Sequence, residues 1–302
     1  MYYYRLYGMR VCADLDFAQL VPENEPELAL EEIRIEAGEL ESKLTALSEA
    51  SGRAYVFGEQ YSWLINRTLW MEVTEGRKIT YHAKEGANPI YLRTYLLGFG
   101  MAMLGLQRGI LAMHCSAVAN EKGAILIAGE SGAGKSTMTT AFLSKGYRLM
   151  ADDMAFVEKT ENELVAKPAF PFQKLCRDAA LAEGYRLEEL IYIDETKDKF
   201  MVPYRGEFLT DEVPVRGMLL LGKKAEGELS AQHLEGLDKF HVCANNLFLR
   251  NLLGKDKYAP VIGQKCLEMA AGLPICYLSR PVQGNTADQT AQEAFRAIEE
   301  WK

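Results

Sequence analysis

Residues 110–153 read ILAMHCSAVANEKGAILIAGESGAGKSTMTTAFLSKGYRLMADD. ILAMHCSAV and AILIAG are two β-type runs separated by the polar turn NEKG. GESGAGKS follows the second run. KSTMTTAFLSK then continues without glycine, as a helix does, and Gly146 ends it. YRLMA reads as the next strand and reaches Asp152-Asp153. Strand, glycine loop, helix, strand is one βαβ-type unit, so the fold class is α/β. That unit predicts that the strand bearing the two aspartates returns beside the strand that enters the loop.

Upstream, residues 1–85 are β-rich. YYYRLYGMRV, LEEIRIEA, RAYVF, YSWLIN, LWMEVTE and KITYHA are short runs rich in Tyr, Val, Ile, Thr and Trp. EGRK at 75–78 reads as a hairpin turn, and residues 39–50 as one helix ended by Gly52. Residues 89–107 form a helix opened by Pro89, with Leu92, Leu96, Leu97, Met101 and Leu104 on one face. The pattern changes near residue 110. The chain therefore divides into a β-rich N-terminal domain, residues 1–110, and an α/β domain, residues 111–302. The first reads as a scaffold or a substrate-docking unit. Downstream, ELVAKPAF is extended, PFQKLCRDAALAEGY helical, and KFMVPY and VRGMLLLG are strands. Residues 233–253 and 260–271 are helical, LPICYLS is a last strand, and TADQTAQEAFRAIEEWK is an amphipathic helix.

Of 302 residues, 48% are apolar and 25% charged, the balance of a globular protein rather than a disordered or fibrous one. With 34 basic and 42 acidic side chains the net charge is −8, so nucleic acid is not an expected partner. The most apolar stretch, LLGFGMAMLGL at 96–106, is shorter than the roughly 18 residues that span a bilayer, so no membrane association is expected. The opening residues lack the pattern of a signal peptide. Six scattered cysteines without a CxxC pair read as reduced thiols of a cytoplasmic protein.

Gly129-Glu130-Ser131-Gly132-Ala133-Gly134-Lys135-Ser136 matches GxxxxGK[ST]. Phosphate oxygens need several backbone N–H groups converging on one point, and glycine lets a chain curl that tightly. The helix that starts near Gly134 adds the positive end of its dipole. Lys135 brings a mobile charge to the β- and γ-phosphates, and the Ser136 hydroxyl is placed for magnesium. Glu130 and Ser131 contribute backbone, and Thr137 follows in the first helical turn. The motif predicts nucleotide binding at residues 129–137.

Asp152-Asp153 lies only 17 residues after Lys135. A strand end there delivers two carboxylates to the edge where open α/β sheets bind ligands. One carboxylate is suited to magnesium, and the other to accepting the proton of an attacking hydroxyl. The competing reading is a solvated acidic turn. His114 stands 21 residues before Lys135 and, if the hairpin is antiparallel, lies beside the loop strand. Taken alone it reads as a semi-buried core histidine.

Taken together, HCSAVANEKGAILIAGESGAGKST…GYRLMADD resembles the catalytic domain of the HPr kinase/phosphorylase family. The resemblance is close over residues 111–155 and loose to about residue 280. It implies a P-loop kinase core of the HPr kinase type, a mixed sheet with helices, that uses ATP and Mg2+ to phosphorylate a serine hydroxyl of a peptide or protein. It implies Asp152 as general base with His114 as its partner. Lys135 and Ser136 would hold phosphate and magnesium, and Asp153 would be the second metal-linked acid. The β-rich opening is more similar to the layout of HPr-kinase-like proteins of peptide-biosynthesis clusters, such as lasso-peptide precursor kinases. The phosphorolysis signature of the regulatory enzymes is not found. HPr kinases form hexamers, so a homo-oligomer is left open. Lys197, Lys199 and Arg205 in DETKDKFMVPYRG are further cation candidates, as are Arg250 and Arg280. Tyr2, Tyr3 and Tyr4 are candidates for a peptide groove. Two other classes compete: a small-molecule kinase of the shikimate or gluconate type, and a non-catalytic nucleotide-binding regulatory protein.

Overall fold

The computed structural model describes residues 1–23, 31–194, 198–284 and 286–301. Lys197 lies outside them. The chain opens as a hairpin, not as one run. Strands β1 (Tyr2–Leu6) and β2 (Met9–Ala13) pair antiparallel with Leu6 opposite Met9. Tyr7 and Gly8 alone reverse the chain, with φ of 51° and 70°, as a type I′ turn requires. With β3 (Val21–Pro22), β4 (Glu32–Ala37), β5 (Tyr55–Val56), β6 (Tyr61–Ile65), β7 (Leu69–Thr74) and β8 (Lys78–Ala83), they form an eight-stranded sheet in the order β3-β1-β2-β4-β8-β7-β6-β5. Helix α1 (Glu41–Ser51) ends on Gly52 at φ 64°, and Glu75 and Gly76 turn the chain between β7 and β8, both as expected.

A single rod of helix follows. It consists of α2 (Pro89–Tyr95), a π-helical turn (Leu96–Gly100) and α3 (Met101–Gln107). Asn88 caps it by accepting the Ile90 N–H at 2.8 Å. Its glycines let neighbours close in. A Cβ on Gly100 would lie 3.1 Å from Ile79 and Met71 of the first sheet, and one on Gly105 would lie 2.6 Å from the Phe156 ring of the second. The rod is wedged between the two sheets.

The second sheet is built from β9 (Leu111–Met113), β10 (Cys115–Asn120), β11 (Gly123–Gly129), β12 (Arg148–Ala151), β13 (Ala155–Lys159) and β14 (Leu164–Lys167), with helix α4 (Lys135–Leu143) between β11 and β12. A third sheet follows, of β15 (Phe172–Cys176), β16 (Ile191–Asp194) and β17 (Lys199–Pro203) in the order β15-β17-β16, with α5 (Arg177–Ala182). Residues 171–185 are thus not all helical. Burial alternates along Phe172–Cys176, a period of two, and helix begins only at Arg177. The chain returns to the second sheet with β18 (Val213–Lys224), β19 (Ser230–His233) and β20 (Ile275–Pro281), and adds α6 (Gly236–Asn245), α7 (Arg250–Leu253), α8 (Pro260–Gly272) and α9 (Ala287–Glu299). The helix read over 233–253 is therefore two helices with a break at 246–249.

The second sheet runs β12-β10-β11-β18-β14-β13-β9, with β20 on β18. The aspartate strand β12 does not lie beside β11. One edge of β11 is taken by the hairpin partner β10 and the other by the parallel strand β18, so β12 pairs with the far side of β10. Both β11 and β12 are antiparallel to β10 and point the same way, so the aspartates still reach the edge of the glycine loop. ILAMHCSAV is also not one strand. It breaks at His114, where β9 leaves for β13 and β10 for β12. The largest apolar cluster runs from Tyr4 to Ile275 and draws on both sides of residue 110. Among the described residues no helix is long and apolar enough to cross a membrane.

Candidate functional site

Residues 111–120 and 148–157 form one antiparallel ribbon with a gap in its ladder. Met113 pairs with Ala155 and Ala117 with Ala151, and residues 114–116 and 152–154 fall between. His114, Ser116, Asp152 and Asp153 all stand in that gap. Interrupted ladders re-aim side chains, and they are common beside active sites. Here the Met154 N–H donates to the Asp152 carbonyl at 2.9 Å and closes a three-residue turn on Asp153, whose φ is 68°. A left-handed non-glycine residue costs about 1–3 kcal/mol and persists only where its surroundings over-determine it.

The surroundings do so. The Tyr7 hydroxyl donates to the Met154 carbonyl at 3.2 Å, and its buried ring stacks on Phe156 at 3.9 Å between centroids. Lys174 holds both acids. Its backbone N–H donates to Asp152 Oδ2 at 2.7 Å, and its ammonium meets Asp153 Oδ2 at 2.5 Å. The Ser116 hydroxyl donates to Asp152 Oδ1 at 2.6 Å. His114 is placed against Asp153 rather than Asp152, with Nδ1 3.0 Å from the Asp153 carbonyl and 3.8 Å from Oδ1. A carbonyl only accepts, so Nδ1 carries the proton in that contact.

The charges sort themselves accordingly. Burial opposes ionisation of Asp153, but Lys174 and His114 outweigh it and hold the carboxyl well below the usual range. Burial pushes the His114 imidazole below its ordinary 6.5 against the pull of Asp153, with Lys135 adding to the downward push. Burial and then Lys199 lower the Lys135 ammonium. Asp153 is thus an ionised, weakly basic carboxylate, and His114 a neutral ring at neutral pH.

The glycine loop joins β11 to α4. Gly129, Gly132 and Gly134 take φ of 142°, 77° and 109°. At Gly129 a Cβ would also lie 2.4 Å from the Leu221 carbonyl of β18, so only glycine fits. The Lys135 ammonium donates to the Gly129 carbonyl at 2.6 Å and the Glu130 carbonyl at 3.3 Å. Arg280 braces the loop from β20, with Nε and Nη2 each 3.3 Å from the carbonyls of Ala133 and Gly132. Ser136 is half-buried and Thr137 exposed, both in the first turn of α4.

A cavity of about 470 Å³ joins these parts. Gly129, Glu130 and Ser131 line one side, and His114, Asp152 and Asp153 another. Lys174 and Lys199 come from the third sheet, Tyr7 from the first, and Phe99, Phe172 and Phe248 form an apolar wall. Arg250 reaches this cavity and donates to the Asn245 carbonyl at 2.9 Å. A second recess, of about 240 Å³, lies by Gly134, Thr137 and Arg280. Arg205 is elsewhere, stacked on the Tyr185 ring at 4.1 Å. Tyr2 and Tyr3 are exposed and Tyr4 is buried, away from the cavity. Sequence reading missed Tyr7, Ser116 and Lys174. Ser116, two residues from His114 and on the same face of the run, carried a signal in its spacing; Tyr7 and Lys174 come from distant segments and carried none.

Among the described residues no group of three or more His, Cys, Asp or Glu could hold a metal ion. Magnesium does not need one: it takes one or two carboxylates and fills its shell with phosphate oxygens and water. Ionised Asp153 has the chemistry for that mode, and Ser136 stands in the first turn of α4.

No family model matches the chain, and no curated protein matches it. Among solved structures it is similar to the Hpr(Ser) kinase/phosphatase from Coxiella burnetii, at 13% identity and a TM-score of 0.31, over 63% of this chain and 98% of that one. So distant a likeness carries no argument about activity.

Proposed function

We propose that the protein is a phosphotransferase that moves the γ-phosphoryl group of ATP to a serine hydroxyl of a peptide or protein. The observation that carries this reading is the pair of adjacent carboxylates in one cavity with a glycine loop, handled in opposite ways. Asp153 is held ionised by Lys174 and is a poor proton acceptor. That suits a metal-linked acid. Asp152 lies next to it, oriented by Ser116 and the Lys174 N–H, and is the general base. Asp153 and Ser136 would hold magnesium, which would supply charge neutralisation to the phosphates when bound.

In the transfer, the serine O–H proton passes to Asp152 as the serine oxygen bonds to the γ-phosphorus. The bond from that phosphorus to the bridging oxygen breaks, and ADP leaves with the electron pair. Lys135, Lys199 and the loop N–H groups balance the charge. Neutral His114 fixes the Asp153 turn through Nδ1. The apolar wall of Phe99, Phe172 and Phe248 supports a peptide acceptor, with residues 1–110 as its docking unit. A precursor peptide of lasso type is the finer reading, and it rests on residue layout alone.

Mass spectrometry of Ser-containing peptides incubated with protein, magnesium and ATP tests this. The expected result is a gain of one HPO3 group, lost in Asp152→Asn while ATP still binds. Unchanged transfer by Asp152→Asn refutes the base assignment, and no transfer to any peptide refutes the substrate class.

A further inference from the structure

We propose that Lys174 is a place-holding cation. Its ammonium occupies Asp153 before the nucleotide arrives, gives that carboxylate up to magnesium, and turns to the transferring phosphoryl group. This rests on the reading of Asp153 as the metal-linked acid.

Three observations lead here. First, Lys174 touches both acids, by its N–H on Asp152 and its ammonium on Asp153. Second, the ammonium already holds Asp153 Oδ2, and a metal ion arriving on that oxygen meets its like charge, so metal and lysine compete for it. Third, the lysine has somewhere to go. It stands opposite Met201 on the third sheet, its side chain is 25% exposed, and Lys199 and the glycine loop line the same cavity. A flexible four-carbon stem with three donors swings readily between two anionic partners. An arginine with a planar fork would be pinned. The exchange also ties the β15 strand to nucleotide loading, since the same residue's N–H keeps hold of the base Asp152 while its ammonium changes partner.

The test measures metal binding on the full chain. Mn2+ is titrated into wild type, Lys174→Met and Lys174→Arg with a non-hydrolysable imido analogue of ATP, and free Mn2+ is read by electron paramagnetic resonance. Removing a competing charge-assisted contact should tighten Mn2+ binding about tenfold in Lys174→Met, and Lys174→Arg should bind no tighter than wild type. Equal or weaker binding by the Met variant overturns the proposal, as does a wild-type protein whose nucleotide complex takes up no Mn2+. Should the Met variant not fold, a crystal structure of wild type with the analogue and magnesium decides. The lysine ammonium on a phosphoryl oxygen, with Asp153 on the metal, supports the exchange; the ammonium still on Asp153 overturns it. Both readouts are independent of turnover. A protein that behaves as expected here and phosphorylates no peptide refutes the substrate reading alone.

Discussion

Tyr7 joins the first sheet to the aspartate turn, and its replacement has a magnitude that follows from geometry. The side chain is 1% exposed, stacks on Phe156 with planes 9° apart, and donates one hydrogen bond to Met154. Truncating a buried aromatic residue to alanine costs about 3–5 kcal/mol. The lost hydrogen bond adds about 1 kcal/mol. Tyr7→Ala should therefore lose about 4–6 kcal/mol, a large share of a typical domain's stability. Tyr7→Phe keeps the stack and should lose about 1 kcal/mol. Tyr7→Gly is the discriminating variant. At φ 51° every residue with a Cβ is strained, so glycine should be milder than alanine by about 1 kcal/mol although it has fewer atoms. Urea unfolding followed by fluorescence, compared at constant slope, measures all three. A loss below about 2 kcal/mol for Tyr7→Ala, or glycine worse than alanine, refutes the picture of a buried wedge in a left-handed turn.

The same geometry predicts other outcomes. Gly129→Ala meets both the Leu221 carbonyl and an unfavourable φ, so it should lose about 3 kcal/mol of stability together with nucleotide binding; calorimetry with ATP checks both. Arg280→Ala removes the brace on the loop carbonyls and should weaken ATP binding about tenfold with little change in melting temperature, read by titration of a fluorescent analogue. Stability should fall towards acid in two stages. His114 binds its proton less readily folded than unfolded, so the unfolded chain takes up more protons as pH drops below 6.5, and stability declines there. The stabilisation from Asp153 is complete above its unfolded value of 3.8 and is lost as pH falls below it. Unfolding free energies measured across this range in wild type and His114→Gln check the sign, and stability that rises on acidification counts against it.

Most elements were legible because their patterns are local. The glycine loop, the hairpin before it, α1, the rod from Pro89 and the closing helix each carry their period or their cap in consecutive residues. The failures have one physical source. The one-strand reading of ILAMHCSAV was reasonable, since nothing in the apolar run announces that its two halves pair with different partners. The position of β12 was also beyond local pattern: it depends on which edge of β11 is already occupied, and that was decided by β18, almost a hundred residues downstream. Phe172–Cys176 reads as helix beside Arg177–Ala182, and only pairing with β17 makes it a strand.

The same logic explains why the candidate residues were found more readily than their connections. The loop, the two aspartates and His114 lie within 40 residues and belong to one bent ribbon and its hairpin, so sequence spacing brings them close. What assigns their jobs comes from elsewhere. Asp152 and Asp153 are neighbours of identical chemistry, and the turn that separates them is stabilised by Tyr7 from the first sheet and by Lys174 from the third. The ammonium is on one carboxylate and a backbone N–H on the other, so the two acids stand in different surroundings. Exchanging the acids' side chains one at a time should therefore not be symmetric. Asp153→Asn leaves the Lys174 ammonium without its carboxylate and should cost about 2 kcal/mol of stability, whereas Asp152→Asn keeps its one oxygen for the Lys174 N–H and turns its NH2 to the Ser116 hydroxyl, which can rotate to accept, and should cost less than half of that. Equal losses in urea unfolding would mean that the two carboxylates are interchangeable, and that Lys174 does not distinguish them.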